Sequence, residues 1–165
     1  MRLRPFIPSC DFDVIKNWIS DARTHAMWCA NLIAYPMEKE NFENVMQEAA
    51  TRFGDSPYVA TTDDGKVVGF FCYSVNLDSN EGMLKFVMVD SAQRGKGLGK
   101  EMLQLAVEFA FYITKADAVH LNVFPENTKA IKCYQSVGFV ERHTDLNAFA
   151  FQGESWGRCN MIIRK

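Results

Sequence analysis

The stretch that decides the fold runs from Asp90 to Lys100 and reads DSAQRGKGLGK. It follows the segment MLKFVMV (83–89), which is apolar on both faces and therefore typical of a central strand. A strand that enters a helix through closely spaced glycines exposes unpaired backbone N–H groups, which together with the helix dipole form an anion site. Because Arg94, Lys96 and Lys100 add positive charge, the loop predicts a ligand that carries phosphates.

The loop differs from two common phosphate-binding motifs. A P-loop requires Gly-Lys followed by Ser or Thr, and a dinucleotide fingerprint requires the spacing GxGxxG, whereas Gly95, Gly97 and Gly99 form GxGxG. Considered alone, the stretch is also compatible with a glycine-rich turn that only caps the following helix. That predicted helix carries apolar residues at helical spacing, namely Leu98, Met102, Leu105, Ala106, Phe109 and Ile113.

A second signature lies further along the chain, where residues 121–139 read LNVFPENTKAIKCYQSVGF. Asn127 opens a predicted helix, and Tyr134 follows seven residues later. Seven residues make two helical turns, so both side chains lie on one face. The small Ala130 between them leaves room for a ligand to pass.

Together, the two motifs resemble those of the Gcn5-related N-acetyltransferases (GNAT), of the small, single-domain RimJ/RimL-like kind. Arg94 to Gly99 matches the R/Q-x-x-G-x-G/A pyrophosphate loop, and the stretch from Asn127 to Phe139 is similar to the family's motif B. The resemblance implies the GNAT fold. This is an α/β (α+β) arrangement in which a mixed, mostly antiparallel central sheet of about seven strands is flanked by about four helices.

The order of elements along the chain is similar to that family as well. Hydrophobic periodicity and turn signals predict β-α-α-β-β-β-α-β-α-β-β over residues 2–164, and hence one N-acetyltransferase domain over 1–165. Residues 22–36 are predicted to be loop-like. The predicted helices are 9–20, 38–53, 98–113 and 127–137, and the predicted strands are 2–6, 56–62, 66–75, 83–89, 118–124, 139–151 and 157–164.

The resemblance implies that acetyl-CoA binds in a cleft between the central strand and the strand at 119–124. Backbone groups would pair with the pantetheine arm at Val87, Met88 and Val89. The pyrophosphate would be held by N–H groups of Arg94, Gly95, Lys96, Gly97, Leu98, Gly99 and Lys100. Asn127 would contact the pantetheine region, and Ala130 would leave room for it. Lys129 and Lys132 would lie near the adenosine phosphates. Asn122 faces either the cleft or the rim of the core.

Acyl transfer from a thioester requires a neutral amine, stabilisation of the carbonyl oxygen and help for the departing thiolate. Tyr134 is the predicted general acid, although its reference pKa of about 10 exceeds that of a thiol, about 8.5, so hydrogen-bond donation is the larger part of its role. A backbone N–H near Val87 or Val89 is a candidate donor to the carbonyl oxygen. Strand alternation gives Glu81 the same side-chain parity as Met83 and Val87, so Glu81 is a candidate base, acting directly or through a water. Whether any base is used is left open.

Composition narrows the classes of partner. The chain has 18 Lys and Arg against 20 Asp and Glu, a net charge of −2, which argues against nucleic acid as a partner. No apolar run has the length of a membrane span, so no membrane partner is expected. The five scattered cysteines lack zinc-ligand spacing, which predicts no metal and favours a reducing, cytoplasmic location. A homodimer formed through the last strands is possible, and the sequence leaves this open.

The function predicted is acetyl-CoA-dependent N-acetyl transfer to a primary amine, on a small molecule or a protein, by direct attack in a ternary complex. An acyl-CoA-binding sensor or scaffold of the same fold, without turnover, is the main alternative, and a nucleotide-binding enzyme is a third. The acceptor side is expected to be formed by residues 22–37 and by the turn between the last two strands. Aromatic residues there either line a pocket or belong to the core, and they are Trp28, Tyr35, Phe149, Phe151 and Trp156.

Overall fold

The computed structural model describes residues 1–165. Its strands are β1 (Arg2–Pro5), β2 (Ser56–Thr61), β3 (Val67–Asn76), β4 (Glu81–Val89), β5 (Ala118–Val123), β6 (Val140–Phe151) and β7 (Glu154–Arg164). Its helices are α1 (Pro8–Ile15), α2 (Ala22–Cys29), α3 (Lys39–Phe53), α4 (Leu98–Glu108) and α5 (Thr128–Val137). The strands form one sheet in the order β1-β2-β3-β4-β5-β7-β6, in which only β4 and β5 are parallel. The predicted mixed seven-stranded sheet is thereby confirmed.

Helix α2 is absent from the predicted order, so the loop-like prediction for 22–36 is wrong over its first half. The Asp21 carboxylate accepts a hydrogen bond from the Thr24 N–H at 2.8 Å, which caps this eight-residue helix. Its end is marked by Ala30, whose φ of 50° lies in the left-handed region. Two predicted ends also shift: α1 stops at Ile15 and continues as a 3₁₀ turn, and α4 passes into a π-helical turn after Glu108.

One face of the sheet is covered by α4 and α5. Gly99 is the point of close approach between them, because a Cβ at this position would lie 3.3 Å from the Cys133 sulfur. The buried residues of this core include Phe71, Tyr73, Leu84, Met102, Leu103, Val119, Leu121, Val123, Tyr134, Phe139, Cys159 and Met161. None of the helices has the length and apolar character needed to cross a bilayer.

The opposite face is covered only in part. Helices α1 to α3 pack over β2, β3 and β4, where Phe6, Phe12, Phe42 and Phe70 contact one another. Over β5, β7 and β6 the polar side chains remain accessible or half-buried. We call this area the open face, defined by His120, Asn122, Arg142, Arg158 and Asn160.

A buried ion pair joins β4 to the end of α3. The Lys85 ammonium lies 2.8 and 3.0 Å from the two oxygens of Asp55, whose side chain is 2% exposed. We expect Lys85→Met to lower the free energy of unfolding by about 3 kcal/mol, because it leaves a buried carboxylate without its cation. Urea denaturation measures this change.

The double variant Lys85→Met/Asp55→Asn is the control for that prediction. It removes the carboxylate charge together with the ammonium, so at least half of the lost stability is expected to return. A loss of less than about 1 kcal/mol in the single variant would show that the pair contributes little to the fold.

Candidate active site

The two parallel strands, β4 and β5, pair at one end and diverge at the other. Pairing between β4 and β5 covers only Glu81 to Leu84 on one strand and Ala118 to Leu121 on the other. Beyond Leu84, β4 runs to Val89 without pairing to β5, so an opening forms in the middle of the sheet. The strands therefore separate where the sequence led us to expect a cleft.

A β-bulge in β4 lies at the start of this opening. Phe86 has a φ of 52°, and the register between β3 and β4 shifts by one residue beside it. As a result, Leu84 and Val87 pack toward the core of α4 and α5, whereas Phe86 packs on the opposite face. The prediction that Glu81 and Val87 point to the same face of the sheet is wrong, because an inserted residue reverses the alternation of side chains along a strand.

Helix α2 reaches the bulge directly. The Trp28 indole N–H donates to the Phe86 carbonyl oxygen at 2.8 Å, and the two rings lie 5.9 Å apart. The helix that sequence patterns missed thus fixes the backbone of the central strand where β4 leaves β5. The only sequence signal for this contact was the indole itself, which needs a hydrogen-bond acceptor when partly buried.

The loop after β4 presents a row of free donors. No backbone carbonyl accepts a hydrogen bond from the N–H groups of Arg94 to Lys100. Gly95 and Gly97 both have φ of 80°, a left-handed conformation that glycine adopts without strain, and Gly97 caps the start of α4. Free N–H groups at a helix N-terminus suit an anion, so this loop fits the pyrophosphate of acetyl-CoA.

The basic side chains around the loop are accessible to an anion. Arg94 and Lys100 are exposed, and the exposed Lys96 ammonium donates to the Gln93 side-chain oxygen at 2.8 Å. Lys129 and Lys132, on α5, are exposed as well. All five remain available to phosphate groups without breaking a structural ion pair.

The start of α5 is arranged as the second motif predicted. Asn127 caps the helix, and its side-chain oxygen accepts a hydrogen bond from the Ala130 N–H at 3.3 Å. This use of the oxygen leaves the amide N–H₂ of Asn127 free to bind a ligand. Ala130 is half-buried on the first turn.

Tyr134 lies two turns later with its ring buried in the core and 6.1 Å from the Phe139 ring. Its hydroxyl has no hydrogen-bond partner in the protein. Because no fully buried polar side-chain atom lacks a partner, this hydroxyl must reach accessible space. Burial raises the pKa of the Tyr134 phenol, so the group keeps its proton at neutral pH and can act as a hydrogen-bond donor.

Glu81 lies at the far end of β4 from the loop. It precedes Leu84, the last residue of β4 that pairs with β5, by three positions, which is about 10 Å along a strand. Both of its oxygens accept hydrogen bonds from the Arg142 guanidinium, at 2.8 and 3.0 Å. This contact holds the pKa of the Glu81 carboxyl below its usual value, which makes it a weak proton acceptor.

Asn122 belongs to the open face, beyond the last residue of β5 that pairs with β4, and is exposed rather than part of a core rim. Its side-chain oxygen accepts a hydrogen bond from the Asn160 amide at 2.8 Å. Asn160 also contacts His120 and Arg142. These contacts between β5, β7 and β6 were not predicted, because the pairing register of the last two strands gives no local sequence signal.

The two segments expected on the acceptor side do meet. A cavity of about 430 Å³ lies between the loop after α2 and the β6–β7 turn, and its lining includes Tyr35 and Phe151. Phe151 and the buried Trp156 also pack with Ala26 and Phe124 in a small core of their own. The sequence analysis allowed these aromatic residues to line a pocket or to belong to the core. Most of them belong to the core, whereas Tyr35 is exposed at the cavity. No cluster of three or more His, Cys, Asp or Glu side chains is arranged to hold a metal ion.

Comparison with known proteins agrees with this geometry. A model of the acetyltransferase (GNAT) family matches residues 13–139. An aminoglycoside N(6')-acetyltransferase type 1 from Klebsiella pneumoniae is 24% identical over 146 residues, which cover 81% of this chain and 71% of that protein. A spermine/spermidine N(1)-acetyltransferase from Bacillus subtilis is 33% identical over 82 residues, 46% of this chain and 54% of that one.

Among solved structures, spermidine N-acetyltransferase from Vibrio cholerae in complex with CoA and spermine has the same fold. The TM-score is 0.81, the identity is 20%, and the match covers 99% of this chain and 94% of that chain. None of these relatives carries the RimJ/RimL-like name, so that part of the prediction stays a prediction.

Proposed function

The chain belongs to the GNAT family of acetyltransferases and is an acetyl-CoA-dependent N-acetyltransferase, and we propose that its acceptor is the primary amine of a small molecule. The observation that carries the proposal is the opening between β4 and β5, which ends at a loop of free N–H groups. We further propose that residues 1–165 form one catalytic domain and that the amine attacks directly in a ternary complex.

The residues present fit acetyl-CoA along this opening. The N–H groups of Arg94 to Lys100 would hold the pyrophosphate. The backbone of Val87 to Val89, on the part of β4 that pairs with β3 but not with β5, would pair with the pantetheine arm along its free edge. The free amide group of Asn127 would contact the pantetheine region. The exposed Lys129 and Lys132 would supply countercharge to the adenosine phosphates. Acetyl-CoA supplies the thioester carbonyl carbon that the amine attacks.

The chain's own groups stabilise charge on both sides of that carbon. A backbone N–H on the edge of β4 that does not pair with β5 would bind the carbonyl oxygen as it gains negative charge, and such a donor is worth about 3 to 4 kcal/mol. The Tyr134 hydroxyl would donate to the departing sulfur. Because Tyr134 approaches from the face of α4 and α5, the open face on the other side is left for the amine.

The acceptor is proposed to be small and not strongly cationic. The named relatives act on spermine, spermidine or aminoglycosides, which are polycations. Here, however, Glu81, Asp145 and Glu154 are each paired with an arginine, and no charged side chain lines the cavity beside the β6–β7 turn. Carboxylates that are already paired with arginine offer little to a polycation.

No general base is needed in this scheme beyond loss of the amine proton to water. Transfer of a proton from a lysine-like ammonium to a glutamate is uphill by about 8 kcal/mol, even before the lowered pKa of Glu81 is considered. We therefore propose that Glu81 holds Arg142 and does not act as base. For Glu81→Gln, we expect kcat/KM still to rise with pH until the acceptor amine is deprotonated, with the same midpoint as the unaltered enzyme. A rising limb that disappears in the variant would identify Glu81 as the base.

Initial rates measured over a matrix of acetyl-CoA and amine concentrations test the proposed function. A panel should include short alkylamines, spermidine and a peptide with a free N-terminus. Intersecting double-reciprocal lines with a small monoamine are expected from direct attack. Parallel lines would indicate an acetylated enzyme, and turnover of the peptide alone would move the acceptor to the protein class.

A further inference from the structure

Four polar side chains are hydrogen-bonded in a series across the open face. The Arg142 guanidinium donates to both oxygens of Glu81, and its Nε donates to the Asn160 side-chain oxygen at 2.7 Å. The Asn160 amide nitrogen lies 3.2 Å from Nδ1 of His120. The series runs from β4 through β6 and β7 to β5, and none of these contacts belongs to the acetyl-CoA site.

Two neighbours fix which way the Asn160 amide points. Arg142 Nε can only donate, so the atom 2.7 Å from it must be oxygen. The Leu121 carbonyl can only accept, so the atom 3.2 Å from it must be the amide nitrogen. A flipped amide would place donor against donor at one contact and acceptor against acceptor at the other.

The orientation of Asn160 in turn fixes the tautomer of His120. Its Nδ1 faces an N–H₂ group and must therefore present a lone pair, so the proton of the neutral ring is on Nε2. The Asn160 amide has two protons for three acceptors, since the Leu121 carbonyl and the Asn122 oxygen also face it, at 3.2 and 2.8 Å. A proton on Nδ1 would still point at an N–H₂ group, so the tautomer is unchanged. Burial lowers the pKa of His120, as do the positive charges of Arg142 and Lys85 against the opposing effect of Glu81, so the ring is neutral near pH 7.

His120 is placed at the edge of the opening. It lies opposite Met83 of β4 and immediately before Leu121, the last residue of β5 that pairs with β4. The side chain is half-buried, and Nε2 has no partner in the protein. Because no fully buried side-chain nitrogen or oxygen lacks a partner, Nε2 reaches accessible space on the open face.

We propose that His120 donates its Nε2–H to the acceptor substrate and thereby selects primary amines that carry a hydrogen-bond-accepting oxygen close to the reacting nitrogen. The inference rests on the proposed function and names the chemistry of its acceptor. Arg142 and Asn160 are positioning residues that act through the His120 ring. A ring with its proton on Nε2 cannot take a proton through that atom, so His120 is not the base.

Nitrogen NMR of the ¹⁵N-histidine-labelled protein at pH 7.5 tests the tautomer without any turnover. The chain has three histidines, and His143→Gln, on an exposed residue, helps to assign the spectrum. We expect His120 to show an unprotonated Nδ1 and a protonated Nε2. In Asn160→Asp, a carboxylate faces Nδ1, so Nδ1 should become protonated. Protonation of Nδ1 in the unaltered protein would overturn the proposal.

A pair of amines tests the selection. 2-Methoxyethylamine and n-butylamine have equal length, and only the first carries an accepting oxygen. The ether oxygen lowers the pKa of its ammonium, so kcat/KM must be expressed per neutral amine. On that basis we expect the ether to be favoured about fivefold to tenfold, mostly through KM, because it gains one hydrogen bond. The preference should vanish in His120→Phe and largely persist in His120→Gln, which keeps an N–H donor.

The outcomes separate the two levels of the proposal. An ether preference that is absent, or unchanged in His120→Phe, would overturn the selection while leaving amine acetylation intact. A hundredfold fall of kcat in His120→Phe with an altered pH profile would mean that His120 is the base. Turnover of neither amine would contradict the proposed small-amine acceptor, and the tautomer measurement would remain valid.

Discussion

Tyr134→Phe is expected to lower kcat about a hundredfold and to leave the Kd for acetyl-CoA within about twofold, because the departing sulfur loses its hydrogen-bond donor. The substitution removes a hydroxyl that makes no hydrogen bond to the protein and reaches accessible space. The fold should therefore be as stable as before. Steady-state kinetics and calorimetric titration with acetyl-CoA measure the two quantities separately.

Tyr73→Phe is the matched control for this prediction. Tyr73 is buried in the same core, but its hydroxyl is bound to the Thr114 hydroxyl at 2.7 Å. Its loss should lower stability by about 1 kcal/mol and leave kcat unchanged. If kcat in Tyr134→Phe equalled that of the unaltered enzyme, Tyr134 would have no part in the chemistry.

The second large effect is expected at the phosphate loop. Gly97→Val should weaken acetyl-CoA binding about a hundredfold, because loss of two hydrogen bonds to a charged ligand costs about 3 kcal/mol. Gly97 has a φ of 80°, and a Cβ there would meet nothing within 4 Å, so the substitution changes only the backbone. A β-branched residue strongly disfavours that conformation. Affinity for S-acetylpantetheine, which has no pyrophosphate, should not change.

Gly65→Val is the control for the backbone strain itself. Gly65 has a φ of 87°, is equally open, and lies in the turn between β2 and β3. It should reduce stability without changing the affinity for acetyl-CoA. Equal losses of acetyl-CoA and S-acetylpantetheine affinity in Gly97→Val would mean that the loop does not bind the pyrophosphate.

What the sequence predicted well was local. The glycine loop depends on residues next to one another, and the cap at Asn127 and the position of Tyr134 depend on spacing within one helix. The Asp-Gly turn before β3 and the apolar pattern of β4 likewise act over a few residues. These features placed the elements of the implied acetyl-CoA site on their strand, loop and helix.

What the sequence did not predict depends on distant contacts. Helix α2 has only eight residues, too few to be stable alone, and it is held by Trp28 at β4 and by Ala26 against Phe124. The bulge puts a phenylalanine at positive φ, a conformation that no propensity favours. Its single inserted residue reversed the side-chain alternation on which the prediction for Glu81 depended.

The side-chain contacts on the open face could not be predicted from sequence patterns for a related reason. Arg142 and Glu81 are 61 residues apart, and they meet only because β6 is joined through β7 and β5 to β4. The order of the last two strands and their shifts of register decide which polar groups come together there. Side-chain identities on one strand carry no information about that register.

The measurement that tests the central claim most directly is release of the CoA thiol from acetyl-CoA with and without a primary amine. With 2-methoxyethylamine present, we expect thiol release that saturates with amine and is matched one for one by acetylated amine in the mass spectrum. Tight binding of acetyl-CoA without amine-dependent release, for every primary amine supplied, would contradict the claim and identify the chain as an acyl-CoA-binding sensor.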